Sequence, residues 1–289
     1  MTFLFVDDIT SITSDSIRGG LALDLSMPFR YPRAIGADIV APGVISEAIG
    51  QLASWQLLRG NGFTARPVFL FADRITHYRD VAVGARLELE ARLLHVDADS
   101  ARFSGTASLC GVPVHAIEEC TLSFLSLAQL EDPELCRQRF TTLASGGFAP
   151  RPERRPAFAW PALQGETLAL EPEVSIHRRL RLDPGFEFYA THFPRFPVTP
   201  VVILNEIAGQ AAMAMMAAKG LRLGSISGCK IRDFVRPGDA IDIKIRRIAG
   251  ASTDAAGAIT AQIQIVKDDR RIMHANWQFE LVSDAEDAR

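Results

Sequence analysis

The chain has 289 residues, 48% hydrophobic and 22% charged, enough for about two ordinary globular domains or one large one that fold without covalent staples. A net charge of −3 gives no broad basic footprint for nucleic acid, and the four cysteines, Cys110, Cys120, Cys136 and Cys229, form no CxxC pair and lie far from any His-x3-5-His arrangement, which argues against structural zinc or a disulfide framework and for a reducing compartment. No apolar run reaches membrane-spanning length without a charge, and MTFLFVDDITSITSDSIRGG places two aspartates directly after a short apolar run, which is wrong for a signal peptide, so the expected location is the cytoplasm with no membrane partner.

In chain order, the first landmark is FRYPR at 29–33, followed by a helix predicted from Pro42 in APGVISEAIGQLASW, with Glu47 and Gln51 one turn apart. DRITHYRDVAVGARLELEARL at 73–93 and VHA at 114–116 come next. The same succession then returns. THFPR at 191–195 precedes TPVVILNEIAGQAAM, whose Glu206 and Gln210 correspond to Glu47 and Gln51; CKIRDFVRPGDAIDIKIRRI at 229–248 and MHA at 273–275 complete the match. This alignment sets Arg30 opposite His192. Between the repeats, SGGFAPRPERRPAFAWPALQGE at 145–166 is rich in Gly, Pro and Arg and reads as a linker between an N-terminal unit at 1–144 and a C-terminal unit at 167–289.

Within each unit the periodicities are those of half-buried antiparallel strands and one buried helix. AIDIKIRRI and AITAQIQIV alternate, KDDR is turn-like, and RIMHANWQFELV puts Met273, Ala275, Trp277, Phe279 and Leu281 on one face. The segment from Pro200 is apolar on nearly every side for about 19 residues, roughly 30 Å of helix, so it must be surrounded. A sheet wrapped round a helix satisfies both patterns. A carboxylate in such a helix costs several kcal/mol to bury without a partner, which makes Glu47 and Glu206 candidates for chemistry.

HFPRFPVTPVVILNEIAGQ at 192–210 resembles the signature of the 3-hydroxyacyl-acyl-carrier-protein dehydratases, and KIRDFVRPGD resembles the strand and Pro-Gly-Asp turn that follow it there; FLFVDDI resembles the usual N-terminal strand. The resemblance covers most of 165–285 and, more weakly, most of 1–126. It implies an α+β double hotdog: two antiparallel sheets, each wrapped round a central helix and joined as a pseudo-dimer. In this family the histidine of one subunit faces the acid of the other, which would pair His192 with Glu47, oriented by Gln51, and leave Glu206, Gln210 and Arg30 as a degenerate second site in which Arg30 neutralises Glu206. A backbone N–H at the helix start would hold the thioester oxygen; the family's glycine there is matched by Gly43 in the first unit and replaced by Val201 in the second.

That chemistry fits the residue types. Dehydrating a 3-hydroxyacyl thioester requires a base for the C2 proton and an acid for the leaving hydroxyl. Histidine is neutral near pH 7, and a carboxyl among apolar groups keeps its proton. No metal or redox cofactor is required. The substrate would be carried by acyl carrier protein or coenzyme A, in fatty acid or polyketide type metabolism, and Arg195, Lys230, Arg232 and Arg236 would greet the carrier or form a solvated rim. His77, His95, His115, His177 and His274 carry no constellation. Two other readings stay open: a hotdog thioesterase in which Glu47 activates water, and a non-catalytic acyl-binding or scaffold protein. A further homodimer of such double units is also open.

Overall fold

Alternating sequences form the ladder and continuous apolar ones the two long helices. The computed structural model describes residues 3–24, 29–31, 38–146, 165–216, 221–248 and 258–281. The elements in order are β1 (Asp8–Ile12), β2 (Ser16–Ala22), β3 (Arg30–Tyr31), β4 (Ile39–Val40), α1 (Pro42–Gly60), β5 (Ala65–His77), β6 (Arg86–Val96), β7 (Ser100–Leu109), β8 (Val112–Ser126), α2 (Leu127–Leu130), α3 (Pro133–Ala144), β9 (Gly165–Glu171), β10 (Ser175–Arg181), a 3₁₀ turn (Glu187–Ala190), α4 (Val201–Met216), β11 (Leu221–Ile231), β12 (Ala240–Arg247), β13 (Ile259–Lys267) and β14 (Arg270–Leu281). Most of the expected linker, residues 147–164, lies outside the described residues, and Gly165 and Glu166 belong to β9.

A single antiparallel sheet of 12 strands runs through both units, in the order β1-β2-β6-β7-β8-β5-β11-β14-β13-β12-β10-β9. Outward from the centre the two halves match: β5, β8, β7, β6, β2, β1 on one side and β11, β14, β13, β12, β10, β9 on the other. At the join β11 pairs with β5, Ile226 opposite Ile75 and Cys229 opposite Ala72, so two strand edges satisfy each other's backbone groups. On β12 Ile241, Ile243 and Ile245 are buried while Asp242, Lys244 and Arg246 alternate with them. Helix α1 buries residues on all sides, Val44, Ile45, Ala48, Ile49 and Leu52 among them, because β2, β5, β6, β7 and β8 wrap it and α4 packs beside it. Helix α4 is described from Val201 to Met216, the residues that follow lying outside the described ones, and Met213 on it is 37% exposed. No described helix is long and apolar enough to cross a membrane.

The two helices cross near their N-termini, and this fixes one residue type. A Cβ on Gly43 would lie 2.6 Å from Val202 Cγ2 and 3.1 Å from Glu206 Oε1. Gly43→Ala is therefore expected to cost about 1–3 kcal/mol through overpacking, read as a lower urea midpoint at unchanged slope.

Two features differ from the sequence reading. FLFVDDI contributes only its last residues to a strand; Phe3 and Phe5 are buried ahead of β1, and the Phe5 N–H donates to Gln51 Oε1 (2.9 Å). Helices α2 and α3 were not anticipated, although EDPEL carries a start signal: the Asp132 carboxylate accepts from the Glu134 and Leu135 N–H groups, with Pro133 in the first turn.

Candidate active site

The loop before α4 is held by its backbone. The His192 N–H bonds to Phe188 O (2.8 Å) at the 3₁₀ turn, and the Thr199 N–H bonds to Val235 O (2.7 Å). Phe193 takes φ 56°, uncommon for a bulky residue, with its ring stacked on His192 at 4.3 Å. The His192 Nδ1 lies 2.9 Å from Val198 O. A carbonyl only accepts, so Nδ1 carries the hydrogen and Nε2 keeps its lone pair. Burial, the largest cause, pushes the imidazole pKa down to about 4; the Arg66 charge acts in the same direction and the Val198 bond against it. At neutral pH His192 is an uncharged base.

Glu47 comes from α1, in the other half of the sheet. Gln51, one turn on, donates to its Oε1 (2.9 Å) and also to Phe3 O (3.2 Å). Burial raises the Glu47 carboxyl above the usual range, opposed by Gln51 and Arg66. The Phe3 N–H in turn donates to Thr191 Oγ1 (3.1 Å), and the Phe3 ring stands edge-on to His192 at 5.2 Å. The N-terminal segment thus ties the helix bearing Glu47 to the loop bearing His192. Both side chains line one cavity of about 160 Å³, together with Gly43, Gln51, Val201 and Arg66. A neutral base and a carboxyl whose pKa is raised by burial can exchange protons with one bound molecule.

Residues 169–265 match a family of ApeI-like proteins, described as ApeI dehydratase. The likeness is to the hotdog dehydratases. The 3-hydroxyacyl-acyl-carrier-protein dehydratase FabZ of Pediococcus pentosaceus is 38% identical over 85 residues, 27% of this chain and 57% of the relative. FabZ of Lactiplantibacillus plantarum is 29% identical over 107 residues, 35% of this chain and 66% of the relative. The chain spans about half to two thirds of the length of the curated relatives it matches. Among solved structures, a Lactobacillus plantarum protein provisionally named an oleoyl thioesterase superposes with a TM-score of 0.61 at 10% identity, covering 93% of this chain and 97% of that one. At that identity it shows the fold alone: the hotdog fold extends over nearly the whole chain.

Within this hotdog frame several site residues fall differently from expectation. Arg30 does not neutralise Glu206: its Nη1 donates to Asp38 Oδ2 (3.2 Å) across the short β3–β4 ladder, and the Glu206 carboxyl accepts instead from the Tyr31 hydroxyl. Burial raises Glu206 to about 7, opposed by that bond. Glu206 and Gln210 line a second cavity with Tyr31, while His192 and Glu47 line the first. The helix starts also align one residue away from the sequence match. Val44 N–H to Ala41 O and Ile203 N–H to Pro200 O are equivalent bonds (both 3.0 Å), which pairs Pro42 with Val201 and Gly43 with Val202. Gly43 is therefore not the counterpart of Val201; the helix crossing accounts for it.

Of the basic residues, Arg195 is engaged internally, donating to Ala128 O (2.9 Å), Glu131 O (3.2 Å) and Asp132 (2.9 Å), which pins the loop to the α2–α3 junction. The Arg236 guanidinium lies over the Phe196 ring at 4.3 Å. Lys230 and Arg232 lie near His274, whose pKa is lowered by burial first and then by Arg271, Arg232 and Lys230. His77 and His115, which carried no constellation in the sequence, are both buried and hydrogen-bonded to each other. Sequence reasoning missed Arg66 altogether. On β5 it pairs with Glu131 (2.8 Å) and lies 5.6 Å from the Phe193 ring, lining the cavity. The one local hint is a lone arginine heading the run ARPVFLFA.

Proposed function

We propose that the chain is a double hotdog that dehydrates a 3-hydroxyacyl thioester to the 2-enoyl thioester at a site spanning its two halves. The observation that carries this reading is that His192 and Glu47, from opposite halves, line one cavity with the imidazole neutral and the carboxyl pKa raised. His192 Nε2 takes the C2 proton, the Glu47 carboxyl gives its proton to the C3 hydroxyl, and water leaves as the double bond forms. The Val201 N–H, in the first turn of α4 and without an intrahelical acceptor, suits the thioester oxygen as negative charge develops. Gln51 orients Glu47. The matched strand order of the two halves supports reading them as two hotdog units on either side of residues 147–164. Acyl carrier protein is the favoured carrier, since the similar FabZ proteins are named for it. Lys230 and Arg232 remain the candidates to meet it.

The cavity, at about 160 Å³, falls below the roughly 300–1,000 Å³ usual for ligand pockets, so short acyl groups should be preferred. A panel of 3-hydroxyacyl thioesters of increasing length, followed by enoyl absorbance and free thiol together, is expected to show enoyl product that falls with chain length. A second reading, an acyl thioesterase using Glu47 to activate water, draws on the thioesterase-named structure that covers nearly the whole chain. Free thiol without enoyl absorbance, and a His192→Ala variant of full activity, would establish it over dehydration.

A further inference from the structure

The larger cavity, about 640 Å³, lies within the size range of ligand sites; Gly43, Ser46, Ile75 and Asn205 line it as well as the first cavity, whereas His192 and Glu47 line the first and not this one. Leu223, Ile226, Trp277 and Phe279 give it an apolar wall, and the buried indole N–H of Trp277 meets no acceptor among the described residues. At its polar end four side chains form a chain: Ser46 Oγ to His115 Nε2 (2.8 Å), His115 Nδ1 to His77 Nδ1 (3.4 Å), and His77 Nε2 to Asp80 Oδ1 (3.2 Å). They come from α1, β8, β5 and the turn after β5, with His77 and His115 directly opposite each other in the β5–β8 ladder.

One set of protons satisfies all three bonds. The Asp80 carboxylate accepts, so His77 Nε2 carries a hydrogen; His77 Nδ1 then has the lone pair and accepts from His115 Nδ1; His115 Nε2 is left to accept the Ser46 hydroxyl. Burial, aided by His77, holds the His115 pKa well below its usual value, so the resting imidazole is neutral with the Nε2 lone pair facing the Ser46 hydroxyl. Among the described residues no three His, Cys, Asp or Glu side chains converge to hold a metal ion. Ser46 lies three residues after Gly43, whose N–H is in the first turn of α1 without an intrahelical acceptor, and helical side chains lean toward that end. Both residues line the cavity.

We propose that Ser46 is an acyl-accepting nucleophile, with His115 as its general base, His77 and Asp80 as positioning residues, and an apolar acyl thioester as the substrate class. The Oγ–H proton passes to His115 Nε2 as Oγ bonds to the acyl carbon, and the oxyanion meets the Gly43 N–H. The bond from carbon to sulfur then breaks, and the thiolate takes the proton from His115. Water cleaves the acyl-serine by the same route, giving a carboxylic acid and restoring Ser46. This activity does not depend on dehydration by His192.

An alkyl fluorophosphonate, which phosphonylates activated serines, tests the assignment. Incubation of the full chain followed by peptide mapping is expected to place one label per chain on Ser46, absent in Ser46→Ala. Asp80→Asn should slow labelling by roughly tenfold or more, with circular dichroism and Tm close to wild type. No label on Ser46, or labelling at an unchanged rate in folded Asp80→Asn, overturns the proposal. Enoyl formation is scored separately, so loss of one activity does not mask the other.

Discussion

His192→Ala is expected to lower kcat for dehydration by roughly 10²–10⁴-fold, and Glu47→Gln by a similar factor, because each removes one half of a proton exchange that the reaction cannot complete alone. Glutamine keeps the size of Glu47 and a donor N–H, so a loss in that variant reports the transferable proton rather than packing. The pH profile carries the same assignment. The productive form has His192 neutral and Glu47 protonated, so kcat/KM should rise as pH passes upward through about 4, where His192 loses its proton, and fall at higher pH as Glu47 ionises. His192→Ala should erase the acid limb, and Glu47→Gln the alkaline one. Glu206→Gln should leave dehydration nearly unchanged, because its carboxyl lines the other cavity and accepts from Tyr31. A profile in which Glu206→Gln abolishes enoyl formation and Glu47→Gln does not would place the acid in the same half as His192 and refute the cross-half site.

Arg66→Met should be the most damaging single change outside the proton-transfer pair. Glu131 is 8% exposed at its side chain and holds Arg66 at 2.8 Å; removing the guanidinium leaves a buried carboxylate whose remaining cationic partner among the described residues is Arg139, at 3.2 Å to its other oxygen and 40% exposed. Breaking a buried pair from one side costs about 3–5 kcal/mol, with the surviving Arg139 contact favouring the lower end. Urea unfolding measures it, and Glu131→Gln in the Arg66→Met background should recover part of the loss, since no charge is then stranded. A difference under about 1 kcal/mol would mean that Glu131 finds other solvation. The Arg66 charge also lowers both the His192 and the Glu47 pKa, so its removal should shift both limbs of the activity profile toward higher pH.

What could be read in advance was what repeats along the chain. Alternation on β12, β13 and β14 and the continuous apolar segment from Pro200 fix local structure through side chains a few residues apart, and these elements appear where expected. Partner choice is another matter. Arg30 was aligned with His192 across a loop of different length in the two halves, and a shift of one or two positions there decides whether a guanidinium or a phenol meets Glu206; it is Tyr31 that does. The Ser46, His115, His77 and Asp80 chain depends on strand register, which places His115 across the ladder from His77, and on the rotation of α1, which sets Glu47 at the first cavity and Ser46 at the border of both. Neither is encoded in local spacing. The one-residue offset between Gly43 and Val201 arises similarly, since a shared proline is a weaker marker of a helix start than its first hydrogen bond.

The β5–β11 junction places both halves of the sheet in one polypeptide, so each side chain exists once per molecule. In an assembly of two identical chains every substitution would appear at both symmetry-related positions, and a residue useful at one site would be forced on the other. Here that constraint is lifted for His192 and Glu47 at one cavity and Tyr31 and Glu206 at the other, which can diverge separately, while Gly43, Ser46, Ile75 and Asn205 line both and stay shared. On the proposed dehydration, titration with a tight-binding inhibitor should end at one equivalent per chain, with no half-of-sites plateau.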